Sequence, residues 1–124
     1  MKKNESNSNK SSAYREKTAS IVTWLHEKKA VDMVALDVSQ MNAVAESIIV
    51  VSATNVPHAQ TLADWTTEKL AEQKWEFLGM EGYNYGNWIL LDCNEVLIHI
   101  FQQDYRDFYN LEGLWKEAPS MLDY

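Results

Sequence analysis

Cysteine is almost missing from this sequence: Cys93 is the only one in 124 residues. An intramolecular disulfide is therefore excluded, and a lone thiol suits a reducing compartment. Glycine and proline are also scarce, at four and two residues, which excludes a collagenous or low-complexity chain. No apolar run approaches the roughly 18 residues that a membrane span needs. The opening stretch, rich in Lys, Asn and Ser, lacks the apolar segment of a signal peptide. The expected location is the cytoplasm.

Several kinds of chemistry are missing as well. His26, His58 and His99 stand far apart with no paired cysteines, so no structural zinc spacing is present and no metal is expected. Cys93 and His99 flank one tight turn six positions apart. Cross-strand pairing would not set them opposite, and Cys93 reads as a small hydrophobe at a strand end. There is no Gly-x-Gly-x-x-Gly and no Gly-Lys-Ser/Thr loop for phosphates. The junction Ser52 to His58 can offer helix N-terminal amides to an anion, but it carries neither glycine nor a nearby cation. No predicted strand carries two acids spaced i,i+2; the nearest pair, Asp92 and Glu95, brackets a turn. Catalysis is not expected, and no cofactor is.

The residues that are present, 46% apolar and 11% aromatic, suffice for one core. At this length about two-thirds of the extended surface can be buried. Residues 1–11 read as a disordered basic tail, and 12–124 as one domain. The charge divides at about the same point. Residues 1–17 hold five basic and two acidic side chains, net +3, whereas residues 18–124 hold six basic and sixteen acidic, net −10. Such a body repels a phosphate backbone and is steered toward a basic protein surface. The alternative is that the charge serves only solubility.

Periodicity predicts the elements. Ser11 or Ser12 caps a helix whose buried stripe is Tyr14, Thr18, Ile21, Val22 and Leu25. A short strand, Val34 to Val38, leads into a polar loop through Ser39 to Ala45. The β-branched run Ser47 to Ser52 is a strand buried on both faces. Thr54, Asn55 and Pro57 start a helix over Val56 to Gln73 with Ala59, Leu62, Ala63, Thr66 and Leu70 inward. Glu68, Glu72 and Glu76 form its solvated ridge. Phe77 to Tyr85 is a short strand entering a turn. Trp88 to Cys93 and Val96 to Gln102 are strands joined by a hairpin at Asn94-Glu95, where Asn supplies a positive φ. Tyr105, Phe108, Tyr109 and Leu111 to Trp115 make a terminal helical turn closing the core. The fold class is α/β, a mixed sheet with helices packed on it. Trp88, Leu90 and Asp92 alternate with Ile89, Leu91 and Cys93, so both faces of that strand are apolar. Either helices bury both faces, or one exposes a Trp-Leu patch with hot-spot composition.

Five segments occur in an order that resembles one family. They are Ala35 to Val38, Glu46 to Ser52, Glu81-Gly82 on to Trp88 through Asp92, Val96 to Phe101, and Arg106 to Trp115. Together they resemble the ribosomal silencing factor family, also called Iojap-type proteins, over about Ile21 to Pro119. The resemblance implies a fold similar to nucleotidyltransferases without their catalytic acids. It implies binding to the large ribosomal subunit through large-subunit ribosomal protein fourteen. Steric blocking of small-subunit joining would then repress translation when nutrients are short. The site residues it suggests are Glu81, Gly82, Tyr83, Trp88, Leu90, Asp92 and His99. Trp88 would be the anchor and Leu90 its apolar neighbour, with Glu81 and Asp92 facing basic side chains. His99 is either part of that face or a satisfied core or dimer histidine. Minor rRNA contact and a homodimer are secondary expectations; neither DNA nor a membrane is expected. The alternative is a protein-interaction subunit of another ribosome-assembly or RNA-processing complex. Two stretches depart from the family pattern. Ala53 to Pro57 replaces a Gly-Thr-Ser loop with its basic residue, and Asp92 to Glu95 replaces an Asp-Tyr-Gly-Asp hairpin.

Overall fold

The computed structural model describes the backbone of residues 2–41 and 44–122, with side chains from Ala13 onward. Part of the expected loop between Ser39 and Ala45 lies outside the described residues. The elements in chain order are α1 (Lys2–Glu27), β1 (Val31–Asp37), β2 (Ser47–Ala53), α2 (Val56–Gln73), β3 (Gly79–Glu81), β4 (Trp88–Asp92), β5 (Val96–Gln102) and α3 (Gln103–Tyr109). A short 3-10 helix, Leu111–Trp115, follows. The five strands form one mixed sheet in the order β1-β2-β5-β4-β3. Only β2 and β5 run parallel; the other neighbours are antiparallel.

α1 starts at Lys2, ahead of the cap expected at Ser11 or Ser12. The stretch read as a disordered tail is therefore helical from its second residue. It contains no glycine or proline, so a helix nucleated by packing further along can propagate through it. Arg15 and Lys17, the cations of this N-terminal region whose side chains are described, are both engaged by the acidic body. Arg15 Nη2 lies 3.0 Å from Asp37 Oδ2. Lys17 is only 4% exposed, and its Nζ donates to the Glu76 carbonyl at 2.9 Å, the Cys93 carbonyl at 2.7 Å and Glu95 Oε1 at 2.6 Å. A buried ammonium is tolerable only when its donors are all met. Lys17 thus pins α1 to the turn between β4 and β5. Asp37 is pulled two ways. Burial opposes its ionisation, but hydrogen bonds from the Ser39 hydroxyl and amide and from Tyr14, with the Arg15 charge, hold its carboxyl below the ordinary value.

β2 is buried at every position, as its β-branched run implies for a strand covered on both faces. α1 and α2 cover one face. There Ile21, Trp24, Leu25, Leu62, Ala63 and Leu70 pack on Ile49, Val51, Ile89, Leu91, Ile98 and Ile100. α2 has the predicted bounds and the predicted inward residues. Its N-cap is Asn55, whose Oδ1 accepts the His58 amide at 2.8 Å. His58 Nδ1 accepts the Thr54 amide at 3.0 Å, so Nε2 carries the proton and donates to the Lys28 carbonyl at 2.8 Å. His58, in the first turn of α2 just after the loop Ala53 to Pro57, thereby fastens α2 to the end of α1, with Thr54 and Asn55 of the loop holding its position. Asn94 takes φ +70° in the hairpin, as predicted.

The second face is covered differently. Leu36, Val38, Ile48, Val50 and Phe101 meet Leu111, Trp115 and Ala118 from the C-terminal segment. That segment then runs along the outer edge of β1. The Asp37 amide donates to the Pro119 carbonyl at 2.9 Å, and the Met121 amide to the Ala35 carbonyl at 2.8 Å. Leu111 and Trp115 close this core, but the aromatics of α3 do not. Phe108 is 80% and Tyr109 50% exposed. The correction follows from the helix stopping early: Asn110 takes a left-handed φ of +44° and ends α3 after seven residues. The chain re-enters the core only at Leu111.

Candidate functional site

The C-terminal segment reaches across β1 and β2 and leaves the β4 end of this face half-open. The pattern along β4 reports it. Ile89 and Leu91, facing α1 and α2, are buried, while Trp88, Leu90 and Asp92 are each partly exposed. Alternation puts those three on one face. The register then builds the neighbourhood: Trp88 opposes Phe101, Leu90 opposes His99, and Asp92 opposes Leu97 across β4 and β5. On the other side Glu81 of β3 opposes Leu90.

Trp88 is held by aromatic contacts on several sides. Its ring centroid lies 4.9 Å from Phe101 and 5.1 Å from Tyr109. Its Nε1 donates to His99 Nδ1 at 3.0 Å. His99 is therefore the neutral tautomer with its proton on Nε2. It is 6% exposed, and burial pulls its pKa down to about 4. His99 acts here as a buried acceptor that fixes the orientation of the indole. Its ring stacks near-parallel to Phe101 at 6.2 Å.

Acidic groups edge this apolar strip. Glu81 is exposed on β3. Asp92 Oδ1 accepts the Asn94 amide at 3.0 Å, which holds the hairpin, and its side chain is still partly exposed. Gly82 stands at φ +82°, and a Cβ there would lie 2.2 Å from the Trp88 carbonyl oxygen. Its part is to let the turn pass close over β4. Glu81, Trp88, Leu90, Asp92 and His99 are thus brought together, with Gly82 at their border. Tyr83 is not. It packs with the core beneath α1 and α2, and its hydroxyl donates to Asp64 of α2 at 2.8 Å. The hydrogen bond to Asp64 raises the phenol's pKa, with burial and the carboxylate's charge adding to it.

Two neighbours belong to the same surface and escaped the reading by sequence. Leu97 is partly exposed and joins the second-face cluster with Trp88. Its parity with His99 was the available signal. Tyr109 abuts Trp88 from α3, and nothing local to β4 or to α3 announces that contact. Cys93 lies apart from His99. It is fully buried, its amide donates to the Val96 carbonyl at 2.9 Å, and burial lifts its thiol to about 12. Among the described residues no group of three or more His, Cys, Asp or Glu is placed to hold a metal ion.

A family model described as ribosomal silencing factor during starvation matches residues 11–123. The chain belongs to the ribosomal silencing factor family. Ribosomal silencing factor RsfS of Halalkalibacterium halodurans is 32% identical over 100 residues, covering 81% of this chain and 86% of that protein. The Bacillus subtilis silencing factor is 32% identical over 93 residues, covering 75% and 79%. A crystal structure of a Chromobacterium violaceum protein superposes with a TM-score of 0.77 at 28% identity, covering 83% of this chain and 84% of that one. A Bacillus halodurans crystal structure gives a TM-score of 0.71 at 30% identity, covering 81% and 90%. Within the silencing factor family, the mixed α/β sheet expected from the motifs is the observed architecture. Among the described residues no helix is long and apolar enough to cross a membrane.

Proposed function

We propose that this silencing factor works in the cytoplasm as a binding protein rather than an enzyme. It docks on the large ribosomal subunit through large-subunit ribosomal protein fourteen and sterically blocks the small subunit from joining. The half-open β4 face carries the reading. It offers a fixed indole and two leucines, Leu90 and Leu97, to a partner, with Glu81 and Asp92 at the border. An orientation-locked Trp is a low-entropy anchor, since little rotamer freedom is lost on binding. The border acids favour a basic protein and disfavour the neighbouring rRNA.

The test is subunit joining on a sucrose gradient, with purified subunits and stoichiometric protein. Complete ribosomes should diminish in its presence. Trp88→Ala should weaken large-subunit affinity by about 2 kcal/mol. Leu90→Ser, at a partly exposed position, should weaken it while leaving the thermal midpoint close to wild type. Unchanged ribosome formation with wild-type protein would refute the block; unchanged affinity in both folded variants would move the face elsewhere.

A further inference from the structure

α3 turns three aromatic rings outward, at 37% exposure for Tyr105, 50% for Tyr109 and 80% for Phe108. The rings form a group. Phe108 meets Tyr109 edge-on at 5.0 Å, and Tyr105 lies 6.2 Å from Tyr109. Asn87 Nδ2 donates to the Tyr105 hydroxyl at 3.3 Å and braces it against the start of β4. Together with Asp104 these rings line a shallow hollow of about 360 Å³. Asp104 accepts the Tyr105 amide at 3.0 Å through one oxygen. Asp107 adds a second exposed carboxylate to the same helix. The only cation of α3, Arg106, is buried and occupied, with Glu112 at 2.7 Å and Ser52 at 2.9 Å. The hollow therefore has π-faces and one carboxylate, Asp104, and α3 supplies no free positive charge to it.

That chemistry selects among occupants. A phosphate is repelled by Asp104. A purely apolar side chain would desolvate the Asp104 carboxylate without a partner. A lysine ammonium is strongly hydrated and has no plane to stack. A guanidinium is planar and weakly hydrated, stacks on aromatic rings and pairs with a carboxylate at once. We propose that the α3 hollow receives an arginine side chain of a basic protein partner and is a second anchor beside Trp88. This rests on the β4 face being the docking surface, to which the Trp88–Tyr109 contact at 5.1 Å joins it.

Two arms test it. In the first, wild type, Trp88→Ala, Phe108→Ala and Asp104→Asn are sedimented with purified large subunits over a salt series. Phe108 is exposed, so its loss should leave the thermal midpoint unchanged. Phe108→Ala and Asp104→Asn should each weaken binding by about tenfold, the order of a moderate hot spot. Asp104→Asn should also flatten the salt dependence. Wild-type affinity in both, with Trp88→Ala impaired, overturns the arginine site and leaves the β4 reading standing. No binding by wild type refutes the β4 reading instead. The second arm is then independent of ribosomes: amide NMR shifts are followed during titration with a hexa-arginine peptide. Tyr105, Phe108 and Tyr109 should respond to hexa-arginine, and the response should vanish in Phe108→Ala. An equal response to hexa-lysine overturns guanidinium selectivity, and a response to oligouridine overturns the choice of protein over RNA.

Discussion

Protonating His99 should unfold this protein more readily than its surface acidity suggests. The imidazole is 6% exposed, and its Nδ1 accepts the Trp88 indole proton. Burial lowers its pKa from 6.5 to about 4. Between those two values the unfolded chain binds the proton and the folded chain does not. Stability from this group is thus complete above about pH 6.5 and is lost as pH falls toward about 4. At about 1.4 kcal/mol per pKa unit, the whole window is worth about 3 kcal/mol, of which about 2 kcal/mol disappears between about pH 7 and about pH 5. The assay is urea unfolding at both pH values, followed by tryptophan fluorescence, for wild type and His99→Asn. Asparagine keeps a carbonyl acceptor for the indole and removes the titration. Asp37 loses its contribution as pH falls below the ordinary carboxylate range, since its folded carboxyl is held below that value. Measurement at about pH 5 stays largely clear of it. Wild type should lose about 2 kcal/mol more than the variant on acidification. Equal losses in the two proteins would show that His99 is not held neutral by burial.

Lys17→Met should destabilise by about 3 kcal/mol in the same denaturant assay, because it strips the Glu76 and Cys93 carbonyls and Glu95 of a shared donor. Gly82→Ala should cost about 2 kcal/mol or more, since its positive φ and the 2.2 Å approach to the Trp88 carbonyl must both be relieved; β4-face affinity should fall with it. Thr66→Val should be neutral or raise stability by about 1 kcal/mol. The Thr66 hydroxyl is buried without a hydrogen-bond partner among the described residues, and the swap preserves its shape.

Some of the molecule was decided by local pattern, and those parts were readable from the chain. β2 is an unbroken β-branched run, and a strand so apolar has no stable place except between two covered faces. α2 carries its cap, its first-turn proline and its inward stripe within eighteen residues, so its bounds needed no partner. The charge split, the single cysteine and the missing pairs of strand acids are properties of the text alone. So is the family, because its motifs are short runs in a fixed order.

Other features arise only where distant segments meet. Lys17 looked like one more N-terminal cation until the β4–β5 turn brought it the Cys93 carbonyl and the Glu95 carboxylate, and the α2–β3 connection the Glu76 carbonyl. Tyr83 sits two residues after Glu81, yet the turn at Gly82 sends it to the α2 side of the sheet. Whether Trp88 and Leu90 were covered could not be read from β4, whose two faces are equally apolar. The answer lay in how far residues 111–121 reach across the sheet from β1. Local propensity sets which residues form an element. Burial depends on which other surface arrives, and for the Trp88 face the arriving surface stops short.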